Sequence, residues 1–473
     1  MTTAREENAR TLAAAIGATE AEADRLLDNP VLITAADGAE RLAGYIQALL
    51  ARTFTYVARA PQPGMAPIIE ILVGGGAPRS DAPAISLGVE GWRIEVRDGQ
   101  TTALGGRTRP IVELLAACYA SAAAVHRIAG PALPVALRLP IAVDFAALYG
   151  EAIDRLDERI DLGSCFLAGA GAIGNAVILG LSVLDVHGKI QVCDPDTASD
   201  GNLNRCWWFN QDDLGLSKAE RLVSRAQASL PGLELVPRPT TLRGALEEAG
   251  VVAPAKLIVG VDSRRARRNL QNEMPQRVFD ASTTGITEVV LHFNEASSGM
   301  ACLSCIYYEA MDETAHERHV AEALGVTVAE VRTNFVSDIA ARGIASKYPS
   351  VDPATLVGLA YDSLFKELCG SGELRVSATE RVLAPFAFVS VMAGVMLALE
   401  IAMRGEPTDD STKYYNYWRL SPWAPPVKRA RELRYRKAGC EFCGDETLQS
   451  VVKQIWGEHG FEASLGSAGR SPS

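Results

Sequence analysis

The residues with the greatest capacity for chemistry lie between Cys165 and Lys218. An apolar strand, Cys165-Phe166-Leu167-Ala168, runs into Gly169-Ala170-Gly171-Ala172-Ile173-Gly174 and then into an apolar helix, Asn175–Leu184. Glycine permits backbone angles that side chains forbid, and it lets a phosphate approach the amides of a helix N-terminus. Gly169, Gly171 and Gly174 have the dinucleotide-fold spacing in the required strand–turn–helix setting. A second strand, Ile190-Gln191-Val192-Cys193, ends in Asp194-Pro195-Asp196, where an acid can bind ribose hydroxyls. Up to this point NAD and ATP fit equally well.

The residues that follow favour ATP. A dehydrogenase needs only Asp194 here, whereas this chain adds Asp196, Asn202, Arg205 and Lys218. Clustered Asn, Arg and Lys hold a polyphosphate and neutralise charge at an attacked phosphorus. A third strand, Leu257-Ile258-Val259-Gly260-Val261, ends in Asp262-Ser263, and a carboxylate at that strand end can hold Mg²⁺. Two Cys-x-x-Cys pairs, Cys302/Cys305 and Cys440/Cys443, supply four thiolates for tetrahedral zinc. The stretch between the pairs is too long for a compact zinc ribbon. Gly439 and Gly444 give the second pair freedom to turn.

These residues need elements to position them. Residues 160–300 alternate strand and helix at 165–168, 175–184, 189–193, 217–229, 233–237, 257–261, 264–274, 277–281 and 287–294, which implies a parallel doubly wound sheet. Residues 306–380 read as a more polar helical insertion, and Lys413–Lys437 as an irregular or extended arm. Upstream, residues 1–50 read as helices and 67–97 as strands. Gly74-Gly75-Gly76-Ala77-Pro78-Arg79 fits no nucleotide pattern. Pro110–Ile128 is a small-residue apolar helix, and Leu383–Met403 echoes it.

The bulk properties exclude several classes. A length of 473 residues supports two or three domains. A net charge of -11, with both signs mixed along the chain, argues against a nucleic-acid surface. The N-terminus lacks a secretory signal, and nine cysteines, an odd number, point to a reducing, cytoplasmic compartment. Val382–Leu399 is uncharged and long enough to span a membrane. Its Pro385, Ser390, Gly394 and several alanines suit a helix buried in protein, so no membrane role is expected. The tail, Ala463–Ser473, has the composition of a disordered segment.

The ordered set of Gly-x-Gly-x-x-Gly, Asp-x-Asp, Asn-Leu-x-Arg, Gly-x-x-Lys-Ala and a strand-end Asp resembles the ThiF-type adenylating superfamily, which includes the ubiquitin-activating enzymes. The match covers about 160–310 well, and 381–404 as a helix returning under the sheet. The resemblance implies ATP-dependent adenylation of a ubiquitin-like protein at its C-terminal glycine, in a bacterial type of activating enzyme. It implies ribose binding by Asp194, phosphate binding by Asn202, Arg205 and Lys218, Mg²⁺ at Asp262 and structural zinc on the four cysteines. Cys206 stands where the family often has Gln. Cys369, in Leu368-Cys369-Gly370-Ser371-Gly372, falls about where relatives carry the thioester cysteine.

The fold expected is therefore α/β. A doubly wound Rossmann-like adenylation domain with a helical insertion follows a degenerate α/β lobe. The divisions are 1–150 for the inactive lobe, 151–305 for the active ATP-binding domain, 306–380 for the insertion, 381–450 for the return helix and zinc-bound arm, and 451–473 for the tail. Paired lobes are the rule in relatives, so a homodimer is expected, and a ubiquitin-conjugating-like enzyme is a further possible partner. Relatives often place an arginine of one lobe over the phosphates of the other, and Arg52 and Arg59 are the candidates here. Three other readings stay open: a sulfur-carrier adenylyltransferase that makes no enzyme thioester, a NAD-dependent oxidoreductase, and a non-catalytic scaffold.

Overall fold

A computed structural model describes residues 3–99, 107–308, 311–333, 335–349, 351–368, 384–404 and 415–457. Two helices open the chain, and each is started by a threonine. Thr3 and Thr19 accept from the amides of Glu6 and Glu22, whose carboxylates reach back to the threonine amides.

The first lobe is built on a six-stranded sheet: β1 (Val31–Ala35), β2 (Val57–Ala58), β3 (Ile69–Val73), β4 (Ala84–Glu90), β5 (Arg93–Asp98) and β6 (Ile141–Asp144), in the order β2-β1-β3-β4-β5-β6. The first four strands in that order run parallel, and β5 and β6 are antiparallel additions. Strand β1 falls inside the region expected to be helical. It is a short, buried apolar run, and such a run has no alternation to mark it as a strand.

The second lobe carries β7 (Ile160–Ala168), β8 (Val186–Cys193), β9 (Leu233–Arg238), β10 (Lys256–Val259), β11 (Arg277–Thr284), β12 (Glu288–Glu295), β13 (Tyr417–Leu420) and β14 (Arg431–Glu432). Their order is β14-β13-β12-β11-β10-β7-β8-β9. The parallel expectation holds from β9 through β11 and stops there. Strand β12 returns antiparallel, because the turn around Gly285 is too short for a crossover. The arm is more ordered than its composition indicates, since it supplies β13 and β14 at the sheet edge. The chain order runs outward from β7 to β8 and β9, then resumes on the other side of β7 with β10 and β11. The switch point of the sheet therefore lies between β7 and β10.

The two small-residue helices hold the lobes together. Pro110–Ala129 and Ala387–Met403 pack against each other, and one continuous apolar core runs through both lobes. Every residue of Ala387–Met403 is buried in protein. Pro110–Ala132 is the one described segment long and apolar enough to cross a membrane, and 89% of its most apolar window is covered by protein.

Residues 311–368 form the helical insertion, with a core of its own around Leu324, Ile344, Tyr361 and Phe365. Its helices are Met311–Leu324, Val328–Arg332, Asp338–Lys347, Pro353–Leu356 and Tyr361–Leu368. Arg265 fastens it to the sheet domain, 3.1 Å from Asp362 and 3.5 Å from Glu317. Cys369 lies outside the described residues, as does the tail from residue 458.

Candidate nucleotide site and four-cysteine centre

The glycine turn follows β7 at the switch point. Gly169 has φ +100°, and a Cβ there would fall 2.9 Å from the backbone of Gly260, just past β10. A Cβ on Gly174 would fall 2.0 Å from the Gly169 carbonyl oxygen. Both positions therefore require glycine on geometric grounds. Gly171 differs, because nothing lies within 4 Å of where its Cβ would be. It precedes the helix Ala172–Leu181, whose N-terminus has no side-chain cap. The first-turn amides thus face an open space suited to a phosphate.

Asp194 sits at the end of β8 and holds the turn. Its Oδ2 accepts from the Ala170 amide at 2.7 Å, and its Oδ1 from the Asp196 amide at 2.9 Å. Burial pushes this carboxyl up to about 6, against the opposing pull of Lys218. Lys218 opens the next helix, Lys218–Ala226, and its Nζ lies 3.1 Å from Asp196 Oδ2. Burial pulls the Lys218 ammonium down, but Asp196 and Asp194 outweigh it and hold it above its ordinary value. The Asp-Pro-Asp loop is also tied to this helix through the backbone, since the Lys218 amide donates to the Asp196 carbonyl at 3.0 Å.

Asn202 and Arg205 lie in the connecting loop. The Asn202 side chain accepts from the amide and hydroxyl of Ser199 at 3.0 and 3.1 Å. Arg205 donates to the Gly201 carbonyl at 2.9 Å and to Asn204 Oδ1 at 2.8 Å. Cys206 is buried, and burial raises its thiol while Arg205, Lys218 and Arg52 draw it back. Asp262 is exposed just beyond β10. The ends of three adjacent strands, β8, β7 and β10, thus bring together Asp194, the glycine turn and Asp262.

Two supporting residues, Asn175 and Asn8, escaped the sequence reading, and Arg52, a candidate for the phosphates, braces a loop instead. Asn175, buried in the helix after the turn, donates to the carbonyls of Ala170 and Gly171 at 2.7 and 3.0 Å and accepts from the Trp208 amide at 3.0 Å. Its only sequence signal is a lone amide within an otherwise apolar helix. The first lobe contributes Asn8, whose Oδ1 accepts from Asn204 at 3.0 Å, and Arg52, which donates to the Trp207 carbonyl at 2.6 Å. Arg52 also donates to the Ala48 carbonyl at 2.8 Å, so it braces the loop behind Arg205. Arg59 is paired with Glu40.

The four expected cysteines come together. The Sγ atoms of Cys302, Cys305, Cys440 and Cys443 lie within 4.8 Å of one another, and Cys302 to Cys305, Cys440 and Cys443, and Cys305 to Cys443, are separated by 3.3 to 3.8 Å. Zinc–thiolate bonds of about 2.3 Å in a tetrahedron place sulfurs roughly 3.8 Å apart, so the four fit a metal ion of that kind. Backbone amides of Lys437 and Cys443 point at Cys305 and Cys440 sulfur at 3.3 and 3.5 Å. A Cβ on Gly444 would lie 2.8 Å from the Cys440 carbonyl oxygen, and Gly439 has φ +78°, so both glycines serve the second knuckle.

A doubly wound sheet with a glycine turn and acidic strand ends at its switch point defines a Rossmann-like, nucleotide-binding class of domain. The ThiF family model matches residues 146–442, more than half of the chain, and the E1 N-terminal domain model matches residues 1–150. The chain belongs to the ThiF family. It is similar to the "Uncharacterized protein y4jF" of Sinorhizobium fredii, at 24% identity over 419 residues, covering 83% of this chain and 79% of that protein. Among solved structures it is similar to E. coli MccB with ATP, at 14% identity and a TM-score of 0.36, covering 76% of this chain and 98% of that one. It is also similar to E. coli MccB with MccA-N7isoASN, at 16% identity and a TM-score of 0.35, covering 62% and 69%.

Proposed function

We propose that this chain uses ATP to adenylate the C-terminal carboxylate of a ubiquitin-like protein and then takes the acyl group onto Cys369. One observation carries the reading. A charged, partly covered Lys218, ordered by Asp196, stands with Asp194 beside an uncapped helix N-terminus at the sheet's switch point. Membership in the ThiF family supports it.

The substrate carboxylate oxygen forms a bond to the α-phosphorus of ATP, and the bond to the β-phosphate oxygen breaks to release pyrophosphate. The helix amides, Lys218 and Arg205 offset the charge that gathers on the phosphates. Asp262 would hold Mg²⁺, which neutralises phosphate charge when bound. Attack by the Cys369 thiolate on the acyl-adenylate carbonyl would then form a thioester and release AMP. Cys302, Cys305, Cys440 and Cys443 would hold zinc in a structural role.

The test is ATP–pyrophosphate exchange with a ubiquitin-like protein ending in glycine. Exchange should depend on that protein and fall by about 10²–10³-fold in Lys218→Ala. Exchange that survives Lys218→Ala removes the site from this reading. A thiol-sensitive adduct absent from Cys369→Ala supports the transfer step, and an adduct that persists in that variant rejects it.

A further inference from the structure

The helix Arg264–Gln271 begins two residues after Asp262 and contains the run Arg264-Arg265-Ala266-Arg267-Arg268. Such a run ordinarily marks a solvated face. Here Arg265, Arg267 and Arg268 are all buried. Burying a guanidinium is costly unless every one of its contacts is placed, so the partners of these three indicate what the helix is held against.

Arg267 pairs with Asp280 of β11 and also donates to the carbonyl of Val261, the residue immediately before Asp262. Asp280 is fully buried, and its other oxygen accepts from the Tyr307 hydroxyl at 2.6 Å. The Arg267 guanidinium lies 5.2 Å from the Tyr307 ring centroid. Tyr307 directly follows the short helix Leu303–Ile306 that carries Cys305, and its amide donates to Leu303 at 2.8 Å. Two more contacts join the same helices: Arg268 donates to the Tyr307 carbonyl at 2.8 Å, and the Leu303 amide to Gln271 at 3.1 Å. On the far side, His292 and Asn294 both reach the carbonyl of Ala301, next to Cys302, at 2.8 and 3.0 Å. The first cysteine knuckle is thus anchored to β12 behind and to the Arg264–Gln271 helix in front.

We infer that the four-cysteine centre fixes the position of Asp262 through the buried relay Tyr307–Asp280–Arg267, with Tyr307 as a positioning residue for the cation-holding end of the site. The centre then does more than fasten the arm. It sets the register of the helix that aims the strand-end carboxylate. The assignment of a cation to Asp262 rests on the adenylation reading, whereas the relay itself does not.

Amide hydrogen exchange on the full chain tests the relay without nucleotide. Tyr307→Phe keeps all four cysteines and the ring and removes only the hydroxyl. The loss of the hydroxyl's contacts to Asp280 and to Ser282, at 2.6 and 3.0 Å, should speed exchange across residues 261–271 by about tenfold. Metal content should remain as in the wild type, and exchange across residues 186–238 should not change. Stripping the metal with a chelator should speed exchange in the same 261–271 segment. Nucleotide affinity in magnesium should fall by a similar factor in Tyr307→Phe, while affinity in EDTA stays level. The relay is overturned if exchange at 261–271 is unchanged in Tyr307→Phe and after metal removal. Faster exchange with an unaltered magnesium dependence overturns the link to Asp262. A wild-type chain that binds no nucleotide overturns the adenylation reading instead, with the exchange result still deciding the relay.

Discussion

Gly394 of the return helix lies directly on Ala176 of the helix that follows the glycine turn: a Cβ at Gly394 would fall 2.4 Å from the Ala176 methyl and 2.6 Å from its backbone. Gly180 repeats the contact in reverse, with a Cβ 2.6 Å from Ala398. Two helices thus touch nearly backbone to backbone, and the helix N-terminus at the glycine turn rides on that contact.

Gly394→Ala should therefore destabilise the fold by about 1–3 kcal/mol through overpacking. It should also weaken nucleotide binding although Gly394 lies outside the glycine turn. Urea unfolding and nucleotide titration check the two effects. An unchanged unfolding midpoint would show that the helices can part at no cost.

The glycines of the turn should separate by function. Gly174→Ala meets the Gly169 carbonyl and should lose roughly 1–3 kcal/mol of stability. Gly171→Ala meets open space, so its stability should stay within about 0.5 kcal/mol of the wild type. Its methyl enters the space in front of the helix amides, and nucleotide affinity should fall by about tenfold or more, roughly 1.4 kcal/mol. Equal losses of stability in the two variants would contradict the geometry.

Asp194 gives stability a pH signature. Its carboxyl titrates near about 6 in the fold, above the ordinary carboxylate range, because burial penalises the charge. Between that ordinary range and about 6 the folded chain holds a proton that the unfolded chain has released. The group's contribution therefore favours the fold below this window and is lost as pH rises through it. Asp194→Asn has no such proton. The stability of Asp194→Asn relative to wild type should rise from pH 4 to pH 7 and then level off. A difference that does not vary with pH would show that burial leaves the titration of Asp194 unmoved.

The cysteine centre should hold one metal ion per chain, and Cys440→Ser should release it. The variant should melt at a lower temperature and become open to proteolysis between residues 417 and 456, where the arm depends on the second knuckle. A metal-free wild type with an intact arm would remove the ion from the account.

Much of the site was legible because its signals are local. The spacing of Gly169, Gly171 and Gly174, the acids at strand ends and the two Cys-x-x-Cys pairs each belong to one turn, and the fold follows from alternating strand and helix. What was not legible depends on distant partners. Strand β1 is a strand because β2 and β3 flank it. The three arginines after Asp262 are buried because Asp280, Asp362, Glu317 and the Tyr307 carbonyl await them. Arg52 and Asn8 matter because the first lobe is folded onto the loop that bears Arg205. No spacing rule reports such meetings.

The two halves of the cysteine centre lie on either side of the helical insertion and the return helix, so the fold staples both ends of that excursion at one point. Lengthening a loop whose ends are already pinned adds only a slowly growing entropic cost. The insertion, which also has a core of its own, can therefore change in length at little cost to the sheet domain beneath it.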